Sequence, residues 1–368
     1  MNSEFVLFLA GEDSGDILGE QAVLAAKHAG FTAKGIGGNR MQNAGLLPLE
    51  NFEKLPVSGF SDILFKLFFF LTLQKKIKRE IQKKECKAVY FIDYPGFNLK
   101  LLSYAKKKNK KVYYLAPPQI YAWKQSRIKY FSGNITCGFL FPFEMQLYKE
   151  KNVLCEHVAH PFLKSVKLYF QQTNLAKNES NRILLFPGSR KNTLLRNLEL
   201  YKYLASYLQE QTSFEIIFVA SRTTLFQLLK ENLNDRFKII NKEIITENKA
   251  SVLKNVKLVI TNPGTVTLES ALAHVPFFCI AKPDPWTFVL AKIFLKIKHL
   301  SLPNLILEKE IFPEFIYSPF LRKKEQKKKI INILNEMLTK NYSEHFHSVE
   351  NKIKTETSIY QSAFEFFT

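Results

Sequence analysis

Acidic residues are scarce in this chain: 33 Asp and Glu stand against 53 Lys and Arg, leaving a formal charge of +20 over 368 residues. That imbalance predicts anionic partners, with nucleic acid, an anionic membrane surface and phosphorylated substrates as the three classes. Cysteine is sparser still. Cys86, Cys137, Cys155 and Cys279 are scattered, with no pair at metal-ligand spacing, which argues against a disulfide framework and fits a reducing cytoplasm. Long hydrophobic runs are missing too. No stretch reaches the roughly 20 apolar residues of a membrane span, and residues 5–10 (FVLFLA) are too few for a signal-peptide core, so they read as a first buried strand. No recognised nucleic-acid-binding module occurs, and the aromatics cluster with aliphatics rather than interleaving with arginines, which argues against nucleic acid.

What is present is enough apolar material, 46% of the residues, for sizeable cores, and a length that implies two domains. Strand-like runs at 5–10, 88–92, 111–116 and 136–141 alternate with helical patterns at 16–29 and 99–107, the rhythm of a parallel sheet. After the polar stretch 171–181 the rhythm resumes with strands at 182–186, 215–220, 237–240, 257–261 and 276–280. The expected fold is α/β: two doubly wound, Rossmann-like domains, 1–170 and 171–340, with a cleft between them. A helical, charged tail, 341–368, is expected to pack back on the first.

Four strand ends carry chemistry. Residues 260–277 (ITNPGTVTLESALAHVPF) break a buried strand at Asn262-Pro263-Gly264 and restart as a helix, with Thr265 the expected N-cap. Free amides and the helix dipole there favour a phosphate, while Glu269, one turn in, suits sugar hydroxyls; an ordinary strand-to-helix turn has the same pattern. At LLFPGSR, Gly188, Ser189 and Arg190 form a second phosphate-friendly edge, where Arg190 can fork onto phosphate oxygens or merely cap a surface loop. In the first half, AGEDSGD places Glu12, Ser14 and Asp16 at a strand end. Its acidic groups would repel a pyrophosphate, so it reads as a site for hydroxyl-rich ligands or as an acidic helix cap. At FIDYPGFN, Asp93 ends a strand beside a Tyr-Pro-Gly turn. A carboxylate there either serves as a general base or bonds its own turn.

Residues 60–73 (FSDILFKLFFFLTL) are apolar nearly all round and run into QKKIKREIQKK. Too short to span a bilayer, this helix with Phe68, Phe69 and Phe70 suits the headgroup region of an anionic membrane, although a buried helix explains the apolar part as well. The stretch from Trp286 (WTFVLAKIFLKIKHL) has the same character, although a core helix accounts for it better. The lysine runs at 106–111 and 322–329 read as solvated faces.

These motifs together resemble the lipid-A-disaccharide synthase family, inverting glycosyltransferases of GT-B architecture. The likeness runs almost end to end, through GEDSGD, IDYPGFN, YAWKQSR, LFPFE, His160-Pro161, FPGSR, NPGTVTLE, SLPNLI and PEF, in this order and spacing. It implies transfer of 2,3-diacylglucosamine from UDP to 2,3-diacylglucosamine 1-phosphate, with UDP released, by a peripheral protein on the cytoplasmic face of the inner membrane. The resemblance makes Asp93 the essential aspartate, gives the diphosphate to Arg190 and the 264–269 helix start and the ribose to Glu269, and places Asn304 and Glu314 among the substrate-lining residues. It implies no cofactor and no bound metal, and no Asp-x-Asp motif occurs. Tyr121, Lys124, Thr193, Pro263 and Tyr317 depart from the family pattern, at positions other than those assigned to chemistry. Two other readings remain: a GT-B transferase acting on a different lipid-linked acceptor, and a non-catalytic basic membrane-binding protein.

Overall fold

The computed structural model describes residues 3–52, 60–120, 125–172, 181–233, 235–245, 249–294 and 298–368. Residues 121–124 of the YAWK motif, 173–180 of the polar stretch and 295–297 of the segment after Trp286 lie outside the described residues. The chain folds as two compact units, Met1–Pro161 with Ile353–Thr368, and Phe162–Lys352.

The first unit carries β1 (Phe5–Ala10), α1 (Asp13–His28), β2 (Thr32–Ile36), α2 (Asn39–Asn43), β3 (Leu47–Pro48), α3 (Phe60–Gln82), β4 (Cys86–Ile92), α4 (Pro95–Lys107), β5 (Lys111–Leu115), β6 (Thr136–Phe139), α5 (Gln146–Lys149) and β7 (Leu154–His157). All pairings are parallel, in the order β3-β2-β1-β4-β5-β6-β7. β1, β4 and β5 are apolar runs buried almost throughout, as strands covered by helices on both faces require. The weaker strands β2, β3 and β7 escape a hydrophobicity reading because they are short and mixed. On α3, Leu73, Ile77 and Ile81 are buried at a four-residue spacing, which turns one stripe of the helix to the core. Three successive residues cannot share a helical face. Phe69 and Phe70 accordingly pack against the core, and of the three phenylalanines only Phe68, 81% exposed, projects outward.

The second unit holds α6 (Pro161–Gln172), β8 (Arg182–Phe186), α7 (Lys191–Gln211), β9 (Glu215–Ala220), α8 (Thr223–Leu233), β10 (Lys238–Asn241), β11 (Val256–Thr261), α9 (Thr265–Leu272), β12 (Phe277–Ala281), α10 (Pro285–Phe294), α11 (Leu302–Leu307), β13 (Glu314–Ile316), α12 (Lys323–Thr339) and α13 (Ser343–Ile353). Its sheet is also parallel, ordered β10-β9-β8-β11-β12-β13. The last helix, α14 (Ile359–Phe367), belongs to the first unit. There Phe367 meets Phe8 and Tyr90, and the Tyr113 hydroxyl lies 2.7 Å from Ser362 Oγ. α13 stays with the second unit, where Phe346 stacks on Phe312. Residues 162–170, placed by the sequence with the first half, also fall in the second unit, and only the part of the 341–368 tail from Ile353 onward falls in the first.

Candidate active site

Each sheet reverses its strand order once, between β1 and β4 in the first unit and between β8 and β11 in the second. Ligands of doubly wound sheets bind at that reversal, outside the carboxyl ends of the strands. Register lines those ends up. Ala10 pairs with Ile92, Ile92 with Leu115 and Leu115 with Gly138, so Glu12, Asp93, Gln119 and Glu144 all follow from one edge.

Asp93 is half-buried, and it and Tyr94 both adopt left-handed backbone, with φ of 46° and 50°. Ala116, just past β5 on the same edge, does so too, at 52°. Such conformations cost about 1–3 kcal/mol each and gather where a fold aims a side chain. Several contacts hold the turn. The Asn98 amide donates to the backbone oxygens of Asp93 (2.8 Å) and Leu9 (3.2 Å), and the Tyr114 hydroxyl donates to Asp93 O (2.7 Å). Asn98 and Tyr114 therefore position Asp93, and neither stood out in the sequence. Gly11 is required by close approach, because a Cβ there would sit 2.2 Å from the Tyr94 ring.

Burial, with Glu12 beside it, pushes the Asp93 carboxyl up to about 6, although the Tyr94 amide favours its charged form. Glu144 is more extreme: burial pushes it up to about 8, with Asp93 adding to the rise and a Gln119 hydrogen bond opposing it. Glu144 is thus a neutral carboxyl at pH 7. His160, buried and stacked on Phe141, is pushed down to about 4 and is a neutral imidazole. Both residues lie in motifs, LFPFE and His-Pro, that carry the family resemblance, but burial sets their protonation. Ser14 is exposed in the first turn of α1. Asp16 is committed elsewhere: its two oxygens accept from the Arg40 and Met41 amides, both at 3.1 Å, at the start of α2. It thus caps α2, a different helix from α1, the one that the acidic segment itself opens.

In the second unit Phe186, Thr261, Cys279 and Glu314 lie in one register row. The FPGSR and NPGT turns that follow are laced together. Asn197 donates to Pro187 O (2.7 Å) and Asn262 Oδ1 (3.1 Å), Asn262 donates to Pro187 O (2.9 Å), and Tyr201 donates to Asn262 Oδ1 (2.9 Å). This brings Gly188, Ser189 and Arg190 to the start of α9. The N-cap of α9 is Gly264 rather than Thr265. Gly264 takes φ 154°, which a residue with Cβ resists, so the break comes one residue early and Thr267 Oγ1 donates back to Gly264 O at 2.7 Å. Gly264, Thr265, Ser189 and Arg190 are exposed.

Glu269 is buried and ion-paired with Lys242, a residue the sequence reading missed. Asn304 and Glu314 form an internal frame. The Asn304 amide donates to Phe312 O and Glu314 Oε1 and accepts from the Ile311 and Phe312 amides, at 2.7–3.0 Å. Glu314 also accepts from the Leu300 and Ser301 amides and from Ser301 Oγ. Both residues hold the SLPN and PEF segments to each other, and their polar atoms are occupied within the protein.

Two Rossmann-like units, each with polar residues gathered at a strand-order reversal, have the GT-B architecture. Solved structures agree on the fold. The calicheamicin glycosyltransferase superposes with a TM-score of 0.62 at 12% identity, covering 99% of this chain and 97% of that one. A Methanocaldococcus jannaschii UDP-GlcNAc 2-epimerase superposes at 0.59 and 13%, covering 99% and 98%. The chain belongs to the lipid-A-disaccharide synthetase family, whose model matches residues 6–364, and is a glycosyltransferase of lipid A biosynthesis. A lipid-A-disaccharide synthase of Coxiella burnetii (strain Dugway 5J108-111) is 32% identical over 325 residues, covering 86% of this chain and 85% of its own. One from Colwellia psychrerythraea is 31% identical over 366 residues, covering 95% and 91%.

Proposed function

We propose that the protein transfers a 2,3-diacylglucosamine from UDP to the 6-hydroxyl of 2,3-diacylglucosamine 1-phosphate, with Asp93 as the general base. The observation that carries the assignment is the half-buried Asp93 at the strand-order reversal, its carboxyl raised to about 6. A base of that strength is largely ionised at pH 7 yet still takes a proton readily, the balance that general base catalysis needs. In the proposed step Asp93 receives the hydroxyl proton while the hydroxyl oxygen bonds the anomeric carbon and the bond from that carbon to the diphosphate oxygen breaks. A single displacement inverts the anomeric centre. The exposed start of α9 and Arg190 hold the departing diphosphate, whose charge their donors offset. Glu269, with Lys242 fixing its carboxylate, faces the ribose. The neutral Glu144 keeps a second negative charge away from Asp93.

Acylated substrates favour a protein that rests on a membrane. Among the described residues no helix is long and apolar enough to cross one. The exposed Phe68 and Leu71 beside Lys75 and Arg79 on α3 support peripheral attachment to an anionic inner-membrane surface.

Product analysis with both acylated substrates tests the reading. Disaccharide and UDP are expected from the wild type, and Asp93→Asn is expected to lower turnover by about 10²- to 10⁴-fold. Folded protein that yields no product across several acyl lengths, or a fully active Asp93→Asn, would refute it.

A further inference from the structure

Remote from the strand edges just described, the second unit brings His274, His347 and Glu350 together, with their ligand atoms all within 4.8 Å of one another. His274 Nε2 lies 3.1 Å from Glu350 Oε1, and His347 Nδ1 lies 3.6 Å from Glu350 Oε2. We propose that these three side chains are a binding site for a divalent transition metal of the zinc type, which would clamp the end of α9 to α13.

The fold presets two of the ligands. His274 follows α9 in left-handed backbone, φ 57°, with its amide bonded to Ala271 O, so it caps the carboxyl end of that helix. A cation is favoured there by the helix dipole. The imidazole is stacked on Phe346 (5.4 Å, 19°), itself buried and stacked on Phe312, which fixes the plane of the ring. His347 and Glu350 are three residues apart on α13 and so share a face. Glu350 turns its carboxylate to both imidazoles, one oxygen toward His274 and the other toward His347.

The distances fit. Zinc bonds of about 2.0–2.2 Å in a tetrahedron place ligand atoms about 3.3 Å apart. His274 Nε2 already lies 3.1 Å from Glu350 Oε1, and His347, which meets the other carboxylate oxygen at 3.6 Å, closes on the ion by rotation of its 65% exposed side chain. Two imidazoles and a carboxylate suit zinc, copper or nickel rather than magnesium or calcium. The exposed His347 side leaves the fourth position to water, and nothing here places the ion near the transfer chemistry. Its effect is mechanical: it ties the turn after α9 to the last helix of the unit.

Equilibrium dialysis of the full chain with Zn²⁺, and absorption spectra with Co²⁺, test the site. We expect one equivalent bound with magnesium in millimolar excess, Co²⁺ d–d bands without thiolate charge transfer, and a melting temperature raised by Zn²⁺. His347→Ala, at an exposed position that spares the fold, is expected to weaken binding at least tenfold and abolish the rise in melting temperature; His274→Gln is expected to do the same. His345→Ala, a neighbouring histidine outside the cluster, is expected to change neither. Binding that survives both cluster variants, thiolate bands that assign the metal to cysteine, or no stoichiometric binding would each overturn the proposal.

Discussion

Asp93→Asn, which is expected to slow transfer sharply, is also expected to make the protein more stable, and the pH dependence of that gain is specific. The carboxyl rises from its ordinary value of 3.8 to about 6 in the folded protein. Between those two pH values the folded state binds more protons than the unfolded one, so stability falls as pH rises through the window. At about 1.4 kcal/mol per tenfold change, the rise from 3.8 to about 6 corresponds to about 3 kcal/mol lost by the wild type between pH 4 and 6. Asparagine keeps the shape, tolerates the left-handed backbone and carries no charge to desolvate. The variant's advantage is therefore near zero at pH 4 and approaches about 3 kcal/mol at pH 7 and above, as an upper bound because the site relaxes. Urea unfolding of both proteins at several pH values, read at the transition of the first unit, measures the gap. Glu12→Gln in the wild-type background should reduce it, since Glu12 is the second cause of the rise. A constant gap, or one that closes as pH rises, would refute the claim that burial sets this carboxyl.

Glu144, pushed up to about 8, costs stability as pH rises between 4.5 and about 8. Glu144→Gln should leave turnover at pH 7 within a few-fold of wild type, remove the loss of stability between pH 4.5 and about 8, and flatten any loss of activity above pH 8, as followed by melting and rate profiles. Lys242→Ala leaves Glu269 buried without its ion-pair partner and should cost about 3 kcal/mol in urea unfolding, with much of it regained in Lys242→Met/Glu269→Gln; a cost below 1 kcal/mol would mean that water already solvates the pair. Gly264→Ala meets no atom within 4 Å, so its effect is the strain of φ 154° alone. We expect about 1–3 kcal/mol of destabilisation and about tenfold weaker UDP binding by calorimetry, as the helix start rotates to relieve that strain; unchanged affinity would remove Gly264 from the phosphate site.

Much of this was legible in the sequence because doubly wound sheets bury their central strands on both faces, leaving unbroken apolar runs, and because the residues after those runs must lie at one edge. β1, β4, β5, β8, β9 and β11 could be read with little error, and with them the positions of Glu12, Asp93, Arg190 and Gly264. Short strands that bury little, such as β3 and β13, left no such trace. Helical phase was misjudged where apolar residues came in succession: Phe68, Phe69 and Phe70 read as one surface, but 100° of rotation per residue sent Phe69 and Phe70 inward.

Sequence alone determined the family, the parallel two-unit plan and the carboxylate that ends β4, since order and spacing of motifs depend only on the chain. Tertiary structure decided what each polar group is free to do. Asp16, Asn304 and Glu314 carry motif positions yet direct their polar atoms at backbone and side-chain partners inside the protein, and Glu269 found Lys242, 27 residues away. Protonation was decided there as well. Asp93, Glu144 and His160 have ordinary titration values in an unfolded chain; removal of water by the surrounding fold, not any neighbour in sequence, leaves one carboxyl poised and keeps the other carboxyl and the imidazole neutral.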